Sequence, residues 1–287
     1  MRKTTLIELL TNAGGEGKTT IGKVIEAIMR ILGLPVQMID GDAGNRSAKV
    51  ADGDAISIAW TTGAERAQAL FDKVKDVNAI FDLGANTMAS GSPIAELVLE
   101  LQEQFEVNGH PTVALLPVSP NKLGAVEAIL KLDKRLPDFP KYFVSVDRDG
   151  SANFGHGLPP DRTIRLGHLA PGLIAVLHQY PTWDAAITSP KEGYGLAAAY
   201  ITEWLREFAE QPLVKQALGV DPVPAIDALG LGRPPKLLMR PKTAEASHDR
   251  MLAGAPRLGL IMARLMSDGA TAANLRRLAN DLDDGRF

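Results

Sequence analysis

The chain has 287 residues, of which 45% are hydrophobic and 23% are charged, and its formal net charge at pH 7 is −3. This composition is typical of a globular protein with a sizeable core, and the sequence has no uninterrupted apolar run of about 18 residues that would span a membrane. Cysteine is absent, which excludes disulfides and iron–sulfur clusters held by thiolates. Because residues 1–5 lack the apolar region of a secretory signal, we expect a cytoplasmic protein.

Apolar periodicity predicts strands and helices that alternate along most of the chain. Short apolar runs predict strands at residues 4–11, 35–40, 55–60, 77–83, 112–117, 141–146 and 164–166. Helical spacing predicts a first helix that ends at Leu32 and further helices at residues 62–75, 92–105, 122–136 and 195–210. Such alternation indicates an α/β fold with a mostly parallel, doubly wound sheet. Ligands of these folds bind beyond the carboxyl ends of the strands.

The C-terminal quarter of the sequence is interrupted repeatedly by proline and glycine. Its prolines include Pro212, Pro222, Pro224, Pro234, Pro235 and Pro241. This pattern predicts a main domain at residues 1–211 and a Pro-rich extension at residues 212–287, with helices at 248–266 and 271–282. The segment from Arg233 to Arg264 contains seven basic and two acidic residues, which is compatible with an anionic partner or with an ordinary solvated surface.

The first predicted strand leads into a glycine-rich loop and then into a helix. The loop and the start of the helix comprise Gly14, Gly15, Glu16, Gly17, Lys18, Thr19 and Thr20. The backbone N–H groups of such a loop, together with the helix N-terminus, bind phosphate oxygens. In this motif Lys18 would reach the β- and γ-phosphates of a nucleotide, and the Thr19 hydroxyl would coordinate Mg²⁺. The sequence therefore predicts a P-loop NTPase that binds a nucleotide and Mg²⁺.

Carboxylates lie at the ends of other predicted strands. Asp40 and Asp42 follow the second strand, and Asp82 ends the strand at residues 77–83. Carboxylates at this edge would bind a metal ion and position a water molecule. Taken alone, Asp40 and Asp42 could instead belong to an Asp-Gly turn, and Asp82 could instead cap a helix or turn. Their spacing from the glycine-rich loop favours the functional interpretation. Residues 147–150 would either line a nucleobase pocket or form a simple turn.

Four segments, taken in order, resemble the ParA/MinD group of deviant-Walker ATPases. The segments are residues 12–20, 36–45, 79–84 and 113–118. The resemblance covers roughly residues 1–210 and is specific in the first 45. It implies an ATP-bound homodimer that sandwiches two nucleotides and separates after hydrolysis. It also implies that Asp42 orients the attacking water and that Asp40 lies near the Mg²⁺ shell, which makes Lys18 and Asp42 the candidate catalytic residues.

One residue departs from the pattern of that family. Ala13 stands where the family usually has a lysine that crosses the dimer interface to the phosphates of the partner chain. Alanine has neither the charge nor the reach of lysine, and a trans-acting cation in phosphoryl transfer is worth on the order of 10³ in rate. Three consequences are open. Another cation (Lys122 or Arg148) could replace the lysine, the dimer could form differently, or hydrolysis could be weak.

The predicted function is that of a ParA/MinD-like ATPase that hydrolyses Mg-ATP to partition or position cargo, such as a plasmid or chromosome, or to assist DNA transfer. Its expected partners are ATP, a second copy of the chain, an activating protein and non-specific DNA bound through residues 233–264. A membrane surface is less favoured. Two alternatives are a dethiobiotin-synthetase-like ATP-dependent ligase, which the Asp40/Asp42 pair fits less well, and a weakly hydrolysing nucleotide-binding scaffold, which Ala13 favours.

Overall fold

A computed structural model of the chain describes residues 3–11, 13–41, 55–57, 67–84, 93–154 and 157–234. The strands are β1 (Leu6–Leu9), β2 (Val36–Gly41), β3 (Ile56–Ser57), β4 (Asn78–Leu83), β5 (Thr112–Val118), β6 (Lys141–Val146) and β7 (Thr163–Leu166). The helices are α1 (Lys18–Ile31), α2 (Ala67–Val74), α3 (Pro93–Val107), α4 (Ala125–Asp133), α5 (Pro171–Leu177), α6 (Trp183–Thr188), α7 (Gly195–Ala209), α8 (Pro212–Leu218) and α9 (Val223–Asp227).

The seven strands form one parallel sheet in the order β3-β2-β4-β1-β5-β6-β7. β1 is the central strand, and its Leu6 pairs in register with Ala79 on one side and with Thr112 on the other. Helices cover both faces because successive side chains of a strand point in opposite directions. Ile7 and Leu9 pack in one core with α1 and α5 to α9, whereas Leu6 packs in a second core with α2, α3 and α4. The predicted α/β fold with a parallel, doubly wound sheet is confirmed.

The first helix begins beside the glycine-rich loop and is held by one apolar stripe. Ile21, Val24, Ile25 and Ile28 are at most 2% exposed, and their spacing of three and four places them on the same face of α1. Gly33 follows the helix with a φ of 68°, a left-handed conformation that commonly ends a helix. The predicted end of this helix at residue 32 therefore agrees with the structure to within one residue.

Two short helices, α5 and α6, were not among the predicted elements. They have seven and six residues, which is too short for a helical period to be recognised against the apolar background. Trp183 at the start of α6 lies against Trp204 of α7, with their ring centroids 6.4 Å apart. Within the described ranges, no helix is long and apolar enough to cross a membrane.

The residues that follow position 211 contribute to the first core. Val214 and Leu218 of α8 and Ile226 of α9 are at most 2% exposed and belong to it. Pro212 is the first residue of α8, a position where proline starts a helix rather than interrupting one. The division at residues 211/212 stays a prediction. The predicted helices at 248–266 and 271–282, and nearly all of the basic segment, lie outside the described residues.

The side chain of Gln211 covers the edge of the sheet at β7. Its Nε2 donates to the Arg165 carbonyl at 2.7 Å, and its Oε1 accepts from the Arg165 N–H at 2.8 Å. The amide thereby takes the place of a neighbouring strand at a position where an unpaired edge would attract another chain.

We expect Gln211→Ala to lower the free energy of unfolding by about 1 kcal/mol, because two backbone hydrogen bonds are exchanged for bonds to water. Gln211→Asn should lose as much, since its side chain is one methylene too short to make both bonds. Gln216→Ala, at an exposed position of α8, is the control. Urea unfolding measures the three values, and an unchanged free energy in Gln211→Ala would contradict the proposed contribution.

Candidate phosphate-binding site

The glycine-rich loop lies at the carboxyl end of the central strand β1 and leads into α1. Gly15 has a φ of 70° and Gly17 a φ of 90°, in the left-handed region where glycine alone is unstrained. A Cβ on Gly17 would also lie 3.3 Å from a methyl group of Val146. A Cβ on Gly14 would meet nothing within 4 Å among the described residues. Backbone conformation and packing therefore require glycine at the second and third glycine positions of the loop.

The N-terminus of α1 forms one wall of the site. Gly17 is the N-cap of this helix and, being a glycine, supplies no capping side chain, and the first turn contains no acidic residue. The N–H groups of the first turn, which includes Lys18, Thr19 and the half-buried Thr20, point toward the N-terminal end of the helix. This end carries the positive pole of the helix dipole, so it favours an anion such as phosphate.

The polar side chains predicted to act on Mg²⁺ and phosphate come together beside the loop. Thr19 Oγ1 donates a 2.8 Å hydrogen bond to Asp82 Oδ2. Asp40 is the register partner of Asp82 on the adjacent strand β2. Asp40 and Asp82 are 2% and 1% exposed, and Lys18 is 8% exposed. The two carboxylates lie side by side because neighbouring parallel strands present their carboxyl ends at the same edge of the sheet.

This set of donors suits Mg²⁺. Hydroxyl and carboxylate oxygens are hard ligands, and Mg²⁺ in nucleotide sites takes one or two protein oxygens while water and phosphate oxygens complete its octahedron. The part of the chain that the structure describes has no group of three or more acidic or histidine side chains that could hold a metal ion. Thr19 and Asp82, which are hydrogen-bonded to each other, would hold the ion together with a bound nucleotide, with Asp40 next to them.

Glu16 joins the glycine-rich loop to the loop that follows β5. Its Oε2 accepts the Ser119 backbone N–H at 2.6 Å, and its Oε1 pairs with Lys122 Nζ at 2.9 Å. Glu16 is 3% exposed, so a nearly buried carboxylate is satisfied by these two donors. The sequence identifies Glu16 only as a member of the loop motif. Its partner Ser119 is 103 positions away, and no local pattern reveals a contact at that separation.

Two cations from other loops contact the glycine-rich loop. Lys122 Nζ donates to the Gly14 carbonyl as well as to Glu16, and Arg148 Nη1 donates to the Gly15 carbonyl at 2.5 Å. A Cβ placed on Gly15 would lie 3.3 Å from Lys122 Nζ and 3.4 Å from Arg148 Nη1. Both cations therefore converge on the same glycine. They are the two cations named above as possible replacements for a family lysine at the position of Ala13.

Asp147 shapes the loop that carries Arg148. Its two carboxylate oxygens accept the backbone N–H groups of Gly150 at 2.9 Å and of Ala152 at 3.0 Å. Burial raises the pKa of Asp147. Of the two interpretations of residues 147–150, these contacts favour the simple turn. This turn could be recognised from the sequence, since Asp at the first position and Gly at the fourth, here Asp147 and Gly150, are typical of a type I turn.

Most of the predicted site residues are gathered at the carboxyl edge of the sheet. Asp42, the residue expected to orient the attacking water, lies outside the described residues, as does Asn12. The predicted site residues that the structure places at this edge are Gly14, Gly15, Glu16, Gly17, Lys18, Thr19, Thr20, Asp40 and Asp82.

A parallel sheet whose central strand leads through a glycine-rich loop into the first helix is a P-loop NTPase-like α/β fold. No family model matches the chain, and no curated protein matches it. Solved structures that match include the septum site-determining protein MinD of Pyrococcus horikoshii in complex with Mg-ADP. It is 15% identical, with a TM-score of 0.41, and the match covers 79% of this chain and 97% of that one.

Two further solved structures have similar scores. The cell division ATPase MinD of Pyrococcus furiosus is 17% identical with a TM-score of 0.39, and the match covers 78% of this chain and 99% of that one. Chloroplast FtsY of Physcomitrella patens is 15% identical with a TM-score of 0.37 and 51% coverage of each chain. The chain spans about half the length of the FtsY structures it matches.

Proposed function

We propose that the chain is a nucleotide switch that binds Mg-ATP and hydrolyses it. The hydrogen bond between Thr19 and Asp82 is the observation that carries this proposal. It joins the hydroxyl at the start of α1 to a carboxylate at the end of a neighbouring strand, the pair between which a nucleotide-bound Mg²⁺ is shared in P-loop enzymes. Lys18 directly precedes Thr19 and brings the positive charge that β- and γ-phosphates require.

The residues of the chain would act by positioning and by stabilising charge. The loop N–H groups and the N-terminus of α1 bind the phosphates, and Lys18 stabilises the charge that develops on the transferred phosphoryl group. A bound Mg²⁺ would supply further neutralisation of the phosphate oxygens. A water attacks the γ-phosphate in line with the leaving oxygen. We assign the orientation of that water to Asp42, which directly follows the last residue of β2.

The sequence resemblance to ParA/MinD ATPases extends this proposal to cargo positioning. In this scheme ATP-bound chains form a homodimer, an activating protein triggers hydrolysis, and residues 233–264 hold DNA through its phosphates. A nucleotide-binding scaffold that hydrolyses slowly is the second candidate. It is favoured by Ala13, whose side chain contributes no charge to the loop.

Thr19→Val tests the metal-linked part of the proposal, because it removes the hydroxyl and keeps the branched shape of the side chain. We expect the unmodified chain to bind ATP when Mg²⁺ is present and to release phosphate. In Thr19→Val the Mg²⁺ concentration for half-maximal ATP binding should rise about tenfold, since an oxygen ligand is lost. Calorimetric titration at several Mg²⁺ concentrations measures binding, and Thr188→Val, at an exposed position of α6, is the matched control.

Each outcome bears on one candidate. A chain that binds no ATP in the presence of Mg²⁺ would overturn the nucleotide switch altogether. ATP binding with phosphate release no faster than in Thr19→Val would favour the scaffold over the ATPase. Equal affinity for GTP would contradict the assignment of ATP as the ligand.

A further inference from the structure

The loops that follow β5 and β6 each bring one cation to the glycine-rich loop, and we call Lys122 and Arg148 the cation bracket. The two loops are tied to each other, because Asn121 Nδ2 donates to Asp149 Oδ2 and Asn153 Nδ2 donates to Asn121 Oδ1 at 2.8 Å. The cation bracket is therefore mounted on two hydrogen-bonded loops that extend from neighbouring strands of the sheet. The position of the two cations is therefore set by both loops together.

The cation bracket contacts backbone carbonyls, and this determines where the following N–H groups point. Lys122 bonds the Gly14 carbonyl and Arg148 bonds the Gly15 carbonyl. In a planar trans peptide the carbonyl and the next N–H point in opposite directions, so the N–H groups of Gly15 and Glu16 are turned away from the cations. Phosphates are bound in such loops by N–H groups. The cation bracket thus holds two peptide units in one orientation and polarises them.

Glu16 fixes one arm of the cation bracket. Its Oε1 holds Lys122 Nζ, while its Oε2 is engaged by the Ser119 N–H. Lys122 remains 41% exposed, so its charge is partly screened by solvent, and its main effect is on the geometry of the loop. Together with Lys18, the cation bracket places three positive charges around a loop to which Ala13 contributes none.

We propose that the cation bracket prepares the glycine-rich loop of a single chain for the β- and γ-phosphates, so that the chain binds nucleotide without a lysine from a second copy. Lys122 and Arg148 are positioning residues in this scheme, which rests on the ATPase function proposed above. ATP affinity then depends on the cation bracket, and a chain that is still monomeric binds ATP.

Lys122→Ala and Arg148→Ala test the proposal in the full chain. Each is expected to weaken ATP affinity about tenfold, the value of one charge-assisted hydrogen bond. Lys122→Arg should restore most of the affinity, because the guanidinium also donates to a carbonyl and a carboxylate. Lys131→Ala, which removes a charge from an exposed position of α4, is the matched control. Calorimetric titration over about a hundredfold range of protein concentration measures affinity, and sedimentation reports the oligomeric state.

The possible results separate this proposal from the one on which it rests. If both alanine variants bind ATP as the unmodified chain does, while Lys18→Ala does not, the cation bracket has no such role and the ATP site stands. If the unmodified chain binds no ATP at protein concentrations where sedimentation shows only monomers, a second copy supplies the missing charge and the proposal is wrong. If Lys18→Ala also binds normally, the ATPase function fails as well.

Discussion

Lys18→Ala is expected to lower the affinity for Mg-ATP by about 100-fold, which corresponds to the loss of a well-placed charged contact to phosphate. Lys18 begins α1 directly after the N-cap Gly17 and is 8% exposed. Its side chain is thus nearly buried at the start of the helix that follows the loop. Hydrolysis at saturating ATP should fall further, by about 10³, because the same charge stabilises the transferred phosphoryl group in the transition state.

Thermal unfolding with and without Mg-ATP measures the loss of binding. A ligand at about 100 times its Kd stabilises the folded state by about 2.7 kcal/mol, so the unmodified chain should show a clear rise in Tm that Lys18→Ala lacks. Lys134→Ala, an exposed lysine that follows α4, should keep that rise. An ATP-dependent rise in Tm of equal size in Lys18→Ala would show that phosphate binds elsewhere on the chain.

The sheet was predictable because its strands are nearly continuous apolar runs, as strands covered on both faces must be. In β4, for example, all six residues of Asn78–Leu83 are buried, and β5 has the same character over Thr112–Val118. In a parallel sheet the carboxyl ends of the strands meet at one edge, and the register of β2 with β4 places Asp40 beside Asp82 there. The short helices α8 and α9 were missed because their prolines begin helices, a role that composition does not distinguish from that of a linker.

The phosphate loop was predictable because its chemistry is local, whereas the contacts that hold it are not. Gly15, Gly17 and Lys18 lie within four consecutive positions, so a motif identifies them. Glu16 meets Ser119, and Arg148 meets Gly15, across separations of 103 and 133 positions. The sequence offers Arg148 as a candidate cation only because a strand end was expected nearby. That its guanidinium bonds a loop carbonyl depends on side-chain geometry, which no spacing rule supplies.

Glu8 is a carboxylic acid in the middle of the central strand β1, and it is 0% exposed. Its Oε2 accepts a hydrogen bond from Gln102 of α3, and its Oε1 has no hydrogen-bond partner among the described residues. Burial raises the pKa of Glu8 from 4.5 to about 8, and the hydrogen bond from Gln102 opposes this only in part. The carboxyl group is therefore protonated in the folded chain at neutral pH, although it is ionised in the unfolded chain.

This difference in protonation makes the stability of the fold depend on pH. Between the unfolded pKa of 4.5 and the folded pKa of about 8, the folded chain holds one proton more than the unfolded chain, so rising pH favours unfolding. The contribution of Glu8 is complete below pH 4.5 and has been lost once the pH exceeds about 8. At about 1.4 kcal/mol for each pH unit, the loss over this window is at most about 5 kcal/mol.

We expect Glu8→Gln to remove this loss, because an amide of nearly the same shape stays neutral at every pH and still accepts the hydrogen bond from Gln102. The variant should match the unmodified chain near pH 4.5 and exceed it increasingly toward pH 8, by up to about 5 kcal/mol in the free energy of unfolding. Urea unfolding at several pH values across this window measures the difference, with Glu127→Gln at an exposed position of α4 as the control. Parallel pH profiles for the Glu8→Gln and unmodified chains would mean that the Glu8 carboxyl group titrates alike in the folded and unfolded states, and that β1 tolerates a charge in the centre of the sheet.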